Sequence, residues 1–397
     1  MHIAMWSPGW PLEKYQNGIV TFVDAMKKEL EALGHRVSVF APPADGSSPE
    51  ESVHRVRRGI AARLARRAFY RMFPIDRDLL TFGEVVAAAI LAVHRRDPID
   101  VIEMEESFGW ADDVARITRI PTLVKLHGPA FLSMLEEELS TSRGRDRVER
   151  EGRCLARADA IASPSQLTMA QTIERYRLSP AIQEHVFNPI GGSFDLPLWT
   201  PGGCERDTLL FVGRFDRRKG ADVILNAFKE LLAERPDLKL VFVGPDYGLH
   251  RPGGEVVGFD AYRDALFPPE LRGRVDFRGR MAHHEISALR PRAAVTVIAS
   301  RWENQGYTAL EAMLQGCPVV CSDAGGCPES VIHGKTGLLA RSEDAADFAA
   351  KLKAMLDDPA AAAAMGAAAR RHVLEHHSAE RVARQSLALY ERMIANA

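Results

Sequence analysis

Two carboxylates, Glu303 and Glu311, stand eight positions apart in the stretch SRWENQGYTALEAMLQG, residues 300–316. The apolar run AVTVIAS precedes it, and a helical period opens near Tyr307. Glu303 therefore falls in a loop and Glu311 one turn into a helix. Free N–H groups of Gly306, Tyr307 and Thr308 at such a helix start would point at an anion, helped by the helix dipole. A carboxylate just ahead of that N-terminus is out of place if the ligand is phosphate alone. It fits a ligand that also carries hydroxyls, because carboxylates accept from sugar O–H groups. Glu311 could then take a second hydroxyl pair, such as a ribose. The plainer alternative has Glu303 capping its own loop and Glu311 solvated, but TALEAMLQG is apolar enough to make an unpaired Glu311 costly. Upstream, LLFVGR ends in Gly213 and Arg214, and Lys219-Gly220 opens the next helix. Two cations around a turn after a strand can grip one dianion, with charge-assisted hydrogen bonds of about 1.5–3 kcal/mol each. A solvated turn is the other reading, since Arg217 and Arg218 lie in the same loop. Taken together, these residues favour a ligand with a diphosphate between two hydroxylated sugars.

The elements that must carry them alternate. HIAMW reads as a strand, and GIVTFVDAMKKELEALG as a helix with Ile19, Phe22, Met26, Leu30 and Leu33 on one face and Gly34 as its stop. HRVSVF, IDVIEM, TLVKLHG and AIASPS follow as strand-like runs. From Asn188 to Asp207 the alternation weakens. Four glycines and three prolines in those twenty residues read as an interdomain linker. It restarts with TLLFVGRF, the helix ADVILNAFKELLAE and KLVFVG, then VDFRG, AVTVIAS, CPVVCSD and GLLA. This is an α/β chain of two doubly wound, Rossmann-like domains. Asp358 and Pro359 suit an N-cap and first helical position. A last helix from about Ala379 has a face of Val382, Leu389, Tyr390 and Met393 that must pack on something.

Glu303-x7-Glu311, with VGRFDRRKG upstream and GCPVVCSDAGGCPESVIHGKTGLL downstream, resembles glycosyltransferase family 4. The C-terminal half carries these motifs in order. The N-terminal half is similar more loosely, through ALGHRV, KLHG and AIASPS. The resemblance implies a GT-B fold, two Rossmann-like domains facing across a cleft, and a retaining, nucleotide-sugar-dependent transferase. It implies an acceptor-side domain over 1–190, with the last helix (about 379–397) packing back on it, and a donor-binding domain over 191–378. Arg214 and Lys219 would bind the diphosphate, Glu303 the transferred sugar and Glu311 the ribose. Gly306, Tyr307 and Thr308 would offer main-chain groups, and Asn304, Gln305 and Leu310 would complete the donor-binding stretch. The base would lie against the RGRM turn at Arg280 and Met281. Gly18 would approach the phosphate, and His127 in KLHG would face the sugar, so Glu303 and His127 are the catalytic candidates. Two departures stand out: Asn17-Gly18 where the family often has Gly-Gly, which would restrict the loop, and Gln305 where it often has Phe, which would place a polar group beside the sugar.

No metal or other cofactor is required on this reading, because cations offset the diphosphate charge. Asp76-Arg77-Asp78 is a D-x-D better explained by helix capping than by a metal–nucleotide site. His283-His284 reads as an exposed pair in a turn rather than a metal site. Cys317, Cys321 and Cys327 match no common zinc spacing and read as small buried thiols. His54 to Ile75 holds seven arginines and no acid. On a helical projection Arg63, Arg66, Arg67 and Arg71 share one side. Two readings stay open: contact with an anionic membrane or acceptor, and a surface helix with solvated arginines.

With 51 basic and 53 acidic residues, the chain has no charge excess for bulk nucleic-acid binding. No apolar run approaches the roughly 20 residues that span a bilayer, and MHIAMWSPGW has no basic n-region. The expected place is the cytoplasm, with peripheral contact at the inner membrane face as an option. The expected activity is transfer of a hexose from a nucleoside-diphosphate sugar to a hydroxyl of an unidentified sugar or lipid-linked acceptor, in cell-envelope, polysaccharide or glycolipid synthesis. A nucleotide-sugar 2-epimerase and a non-catalytic sugar- or membrane-binding protein are the alternatives.

Overall fold

The computed structural model describes residues 1–15, 17–44, 50–57, 82–191, 196–251 and 254–396. The basic segment with Arg63, Arg66, Arg67 and Arg71, and the D-x-D at Asp76 and Asp78, lie outside the described residues. The chain forms two compact units, Met1–Gly191 with Ser378–Ala397, and Gly192–His377.

Among the described residues, the first unit carries seven parallel strands: β1 (His2–Trp6), β2 (Arg36–Ala41), β3 (Val53–Arg55), β4 (Val101–Glu105), β5 (Thr122–Lys125), β6 (Ala160–Ser163) and β7 (Ile182–His185). Their spatial order is β3-β2-β1-β4-β5-β6-β7. β1 and β4–β6 are buried along their whole length, which is why they read as near-continuous apolar runs. The chain winds outward from β1 to β3, then returns to lay β4 on the other side of β1. The C-terminal ends of β1 and β4 thus form a topological switch point. The helix Gly18–Ala32 starts there, capped by the Asn17 side chain, which accepts from the Ile19 N–H at 2.8 Å. Asn17 is thus a helix cap, and Gly18 is the first helical residue. The last helix, Ala379–Asn396, buries Val382, Leu389, Tyr390 and Met393 in a core with Phe22, Val23 and Met26. Its Tyr390 hydroxyl donates to the buried Glu103 carboxylate.

The second unit holds β8 (Glu205–Val212), β9 (Lys239–Val243), the small antiparallel pair β10 (Leu249–His250) and β11 (Val256–Val257), β12 (Val275–Phe277), β13 (Ala293–Ile298), β14 (Val319–Ser322) and β15 (Leu338–Ala340). Its parallel sheet runs β12-β9-β8-β13-β14-β15. The switch point here falls between β8 and β13. Helices Ala221–Glu234 and Ala345–Asp357 bury Ile224, Phe228, Phe348 and Leu352 against β8 and β13. Part of the stretch read as a linker is structural. Trp199 is buried, its main-chain N–H donating to the Gln315 carbonyl and its indole N–H to the Ala293 carbonyl, both at 2.9 Å. Asp358 caps the helix Pro359–His376 by accepting from the Ala361 N–H at 2.9 Å. Cys317, Cys321 and Cys327 are buried free thiols around β14. No helix among the described residues is long and apolar enough to cross a membrane.

Candidate active site

At the switch point of the second unit, the loops after β8 and β13 bring Arg214, Lys219 and Glu303 together. Arg214 follows β8. Its guanidinium pairs with Asp216 at 2.7 Å and lies over the Tyr247 ring, 5.4 Å from the centroid. The other Asp216 oxygen accepts from the Lys219 N–H at 2.8 Å, closing the loop. Gly220 then adopts a left-handed φ of 68°, and a Cβ there would sit 1.9 Å from the Ala299 carbonyl oxygen. Only glycine permits that approach, which carries Lys219 to the end of β13. The Lys219 ammonium forms an ion pair with Glu303. Glu303 also accepts from the Ser300 hydroxyl at 2.7 Å. Burial works against the Glu303 charge, but Lys219 and Ser300 outweigh it and hold its pKa below the usual carboxylate value.

The Glu303 loop is fixed from two sides. Arg301 grips Asp222 with two bonds of 2.8 Å. On the other side the Gly326 N–H donates to the Glu303 carbonyl at 2.8 Å. Gly325, at φ 59°, passes so close that a Cβ would meet the same oxygen at 2.2 Å. The GG turn of DAGGCPES is thus a packing partner of the Glu303 loop.

The helix Tyr307–Leu314 starts at Gly306. The main-chain N–H groups of Gly306, Tyr307 and Thr308 have no hydrogen-bond acceptor among the described residues. Glu311 forms an ion pair with Arg290, whose side chain is only 2% exposed. Its Oε1 lies 3.2 Å from His283 Nε2. Burial opposes the Glu311 charge, and Arg290 and His283 more than offset it, leaving its pKa below the ordinary value. Glu311 is therefore neither solvated nor unpaired. Three candidates of the stretch need correction as ligand-facing side chains. Leu310 is fully buried, because the helical period turns residues 309 and 310 inward. Asn304 is buried too. The Gln305 amide is buried, 3.2 Å from the Ser330 hydroxyl and 3.1 Å from His377 Nδ1, so it is aimed at these partners rather than at a sugar. Arg280 is exposed in the turn after β12, and Met281 packs partly on Leu210, Val243 and Ala293.

In the first unit, His127 follows β5 and packs edge-on against Phe22, ring centroids 5.0 Å apart. Burial and the nearby Lys125 ammonium lower its pKa to about 3, so the imidazole is neutral at any physiological pH. Its turn is clamped by buried carboxylates. Glu106 accepts from the main-chain N–H of His127 at 2.9 Å and of Gly128 at 2.6 Å. Glu151 accepts from Ala130 N–H at 2.7 Å and from Arg147 Nε at 2.9 Å. Burial and the neighbouring Glu106 charge raise the pKa of Glu105 to about 8 and of Glu151 to about 7. Among the described residues, no group of three His, Cys, Asp or Glu side chains could hold a metal ion.

The model of the family described as Glycosyltransferase Family 4 matches residues 16–190, and that of Glycosyl transferases group 1 matches residues 204–372. The chain belongs to glycosyltransferase family 4. A D-inositol 3-phosphate glycosyltransferase of Arthrobacter sp. is 27% identical over 89% of this chain and 85% of its own length. A glycogen synthase of Mycobacterium tuberculosis is 33% identical, over 46% of this chain and 42% of its own. Among solved structures, the sucrose-phosphate synthase of Thermosynechococcus elongatus superposes with a TM-score of 0.75 at 23% identity, covering 100% of both chains. Anabaena HepE in complex with UDP-glucose gives 0.69 at 17% identity, again over 100% of both. This family 4 member is a glycosyltransferase with the two-domain GT-B fold.

Sequence reasoning missed three things in this family 4 member: in the second unit, the Tyr247 ring under Arg214 and the Arg290–His283 support of Glu311, and in the first unit, the carboxylates behind His127. Glu105-Glu106 at the end of an apolar strand was the available signal, since paired acids that close a buried strand need partners. Tyr247 and Arg290 lie 33 and 21 positions from the groups they serve, with no local pattern to join them.

Proposed function

We propose that the chain is a retaining transferase that moves a hexose from a nucleoside-diphosphate sugar to an acceptor hydroxyl, with the donor held at the switch point of the second unit. The observation that carries this is the grouping of Arg214, Lys219 and Glu303 just ahead of the helix that bears Glu311, whose first N–H groups, those of Gly306, Tyr307 and Thr308, are uncommitted among the described residues. Arg214 and Lys219 take the diphosphate, Glu311 the ribose hydroxyls and Glu303 hydroxyls of the transferred sugar. The base lies at the Arg280–Met281 turn, and Gly18 and His127 on the first unit are assigned to phosphate and sugar by the family resemblance. A neutral His127 serves as a hydrogen-bonding group, not as an acid.

The Lys219–Glu303 pair gives the donor a defined order of events. The diphosphate competes for the Lys219 ammonium, and the Glu303 carboxylate released from it is then free to accept from sugar hydroxyls. Cations placed on the departing diphosphate stabilise charge as it develops. Same-face substitution, with the leaving phosphate assisting the acceptor hydroxyl, needs no protein nucleophile and no metal. The complex of HepE with UDP-glucose supports UDP-glucose as the first donor to try, with GDP-sugars beside it. Acceptors to try are sugars and lipid-linked sugars of envelope, polysaccharide or glycolipid synthesis.

The test is release of UDP or GDP from a panel of donors and acceptors, with the anomeric configuration of the product read by NMR. Retention is expected, and inversion overturns the mechanism. UDP-GlcNAc incubated without acceptor checks the 2-epimerase alternative, which requires an epimer to form.

A further inference from the structure

We infer that His283 is a donor-site positioning residue, which holds the Glu311 carboxylate for a ribose diol and makes donor affinity depend on the charge of its imidazole. The inference rests on the donor site proposed above and extends it to a residue outside the family motif.

The geometry is specific. Glu311 Oε2 is taken by the buried Arg290 guanidinium, and Oε1 by His283 Nε2 at 3.2 Å. An ionised carboxylate has about four lone-pair positions. One fixed donor on each oxygen leaves one position on each, a pair suited to two vicinal hydroxyls. With a single donor the carboxylate could swing about its terminal torsion, which is broad and roughly two-fold. His283 supplies the second point that removes this freedom.

Its own position is built in. His283 opens the helix His283–Leu289, whose start is boxed by Glu285 accepting from the Ala282 N–H at 2.7 Å. The far end is tied to the helix bearing Glu311. Gln315, fully buried, donates from its side-chain amide to the Ser287 carbonyl at 2.8 Å and the Pro197 carbonyl at 2.9 Å. Arg290 follows directly and packs beneath Glu311. His283 also comes two residues after the Arg280–Met281 turn assigned to the base. It therefore stands between the positions assigned to base and ribose.

The charged groups that face this imidazole are Glu311 and Arg290. The hydrogen bond and charge of Glu311 outweigh burial and the Arg290 repulsion, so the His283 pKa is raised above its ordinary 6.5. For a raised histidine, the stabilising contact is fully present below the unfolded value of 6.5 and is lost as pH rises through the higher folded pKa. Donor affinity should follow the same course, strongest on the acid side.

The experiment measures binding of UDP-glucose and GDP-mannose to the whole chain by calorimetry between pH 5.5 and 8.5, a range in which the diphosphate diester keeps its charge. The unaltered chain should lose about fivefold in affinity for whichever donor binds, the difference between a charged and a neutral hydrogen bond. His283→Gln keeps an uncharged donor near the Nε2 position and should show no such slope. His283→Ala should be flat and weaker than His283→Gln. The C2–H resonance of His283 supplies a ligand-free readout, and Glu311→Gln should bring its pKa back toward 6.5. An equal slope in the unaltered chain and His283→Gln, no slope in the unaltered chain, or a His283 pKa indifferent to Glu311→Gln each overturns the inference alone. Binding of neither donor to the unaltered chain at any pH overturns the donor-site reading, and this inference with it.

Discussion

Replacing Lys219 by Met should separate what this side chain does for the fold from what it does for the donor. The ammonium is paired with Glu303, at side-chain exposures of 29% and 16%. Breaking a fully buried pair costs about 3–5 kcal/mol, and a surface pair about 0–1. The exposures place this pair between those limits, so Lys219→Met should destabilise the second unit by about 1–2 kcal/mol. Most of that penalty is the stranded Glu303 charge. Glu303→Gln added to Lys219→Met should therefore recover much of the lost stability. Donor affinity should not recover with it. A charge-assisted contact contributes about 1.5–3 kcal/mol, but the diphosphate must first draw Lys219 away from Glu303. The net loss should thus lie at the low end, about tenfold in Kd for UDP or GDP. Urea unfolding and calorimetry on the four members of the cycle give both quantities. Unchanged nucleotide affinity in Lys219→Met would remove the diphosphate role of Lys219, and a double variant less stable than either single one would rule out a stranded Glu303 charge.

Other outcomes follow from the same geometry. Glu311→Gln should weaken binding of the free nucleotide, whereas Glu303→Gln, which frees Lys219 for the diphosphate, should not weaken it and should cut turnover, because the Glu303 contacts are with the transferred group; equal loss of nucleotide binding in both would contradict the division. Turnover should survive excess EDTA, and loss restored by manganese or magnesium would redirect attention to Asp76 and Asp78. Glu105 has a folded-state pKa of about 8 against an ordinary 4.5. The folded state holds this proton longer than the unfolded one, so the first unit should lose stability as pH rises from 4.5 to 8. Glu105→Gln should flatten that part of the urea-unfolding profile, and an unchanged slope would assign it elsewhere.

The parallel-sheet architecture was legible because buried strands such as AVTVIAS and LLFV are continuous apolar runs set between helical periods. The edge strands β3 and β7 were not. VHR is three residues long and IQEH is mostly polar, since an edge that is half-buried does not need an apolar run. The meeting of Lys219 with Glu303 was legible as a grouping of motif residues, and the side-chain directions were less so. Spacing placed Leu310 and Asn304 in the stretch around Glu303 and Glu311, but it did not show that both are buried, Leu310 by its helical phase. The partners of Glu311 and of the His127 turn were hidden for a different reason. Arg290, His283, Glu106 and Glu151 come from other elements, and tertiary pairings of this kind leave no periodic trace.

The proposed place of the donor nucleotide is at the C-terminal ends of β8 and β13. Amide hydrogen exchange of the whole chain, with and without saturating UDP or GDP, reads that place out segment by segment. Exchange should slow in segments 213–220, 279–284 and 300–311, and that protection should be lost in Lys219→Met at equal nucleotide concentration. Protection confined to the opposite end of the same strands, around Cys204, Arg206 and Arg235, or to the first unit alone, would contradict it.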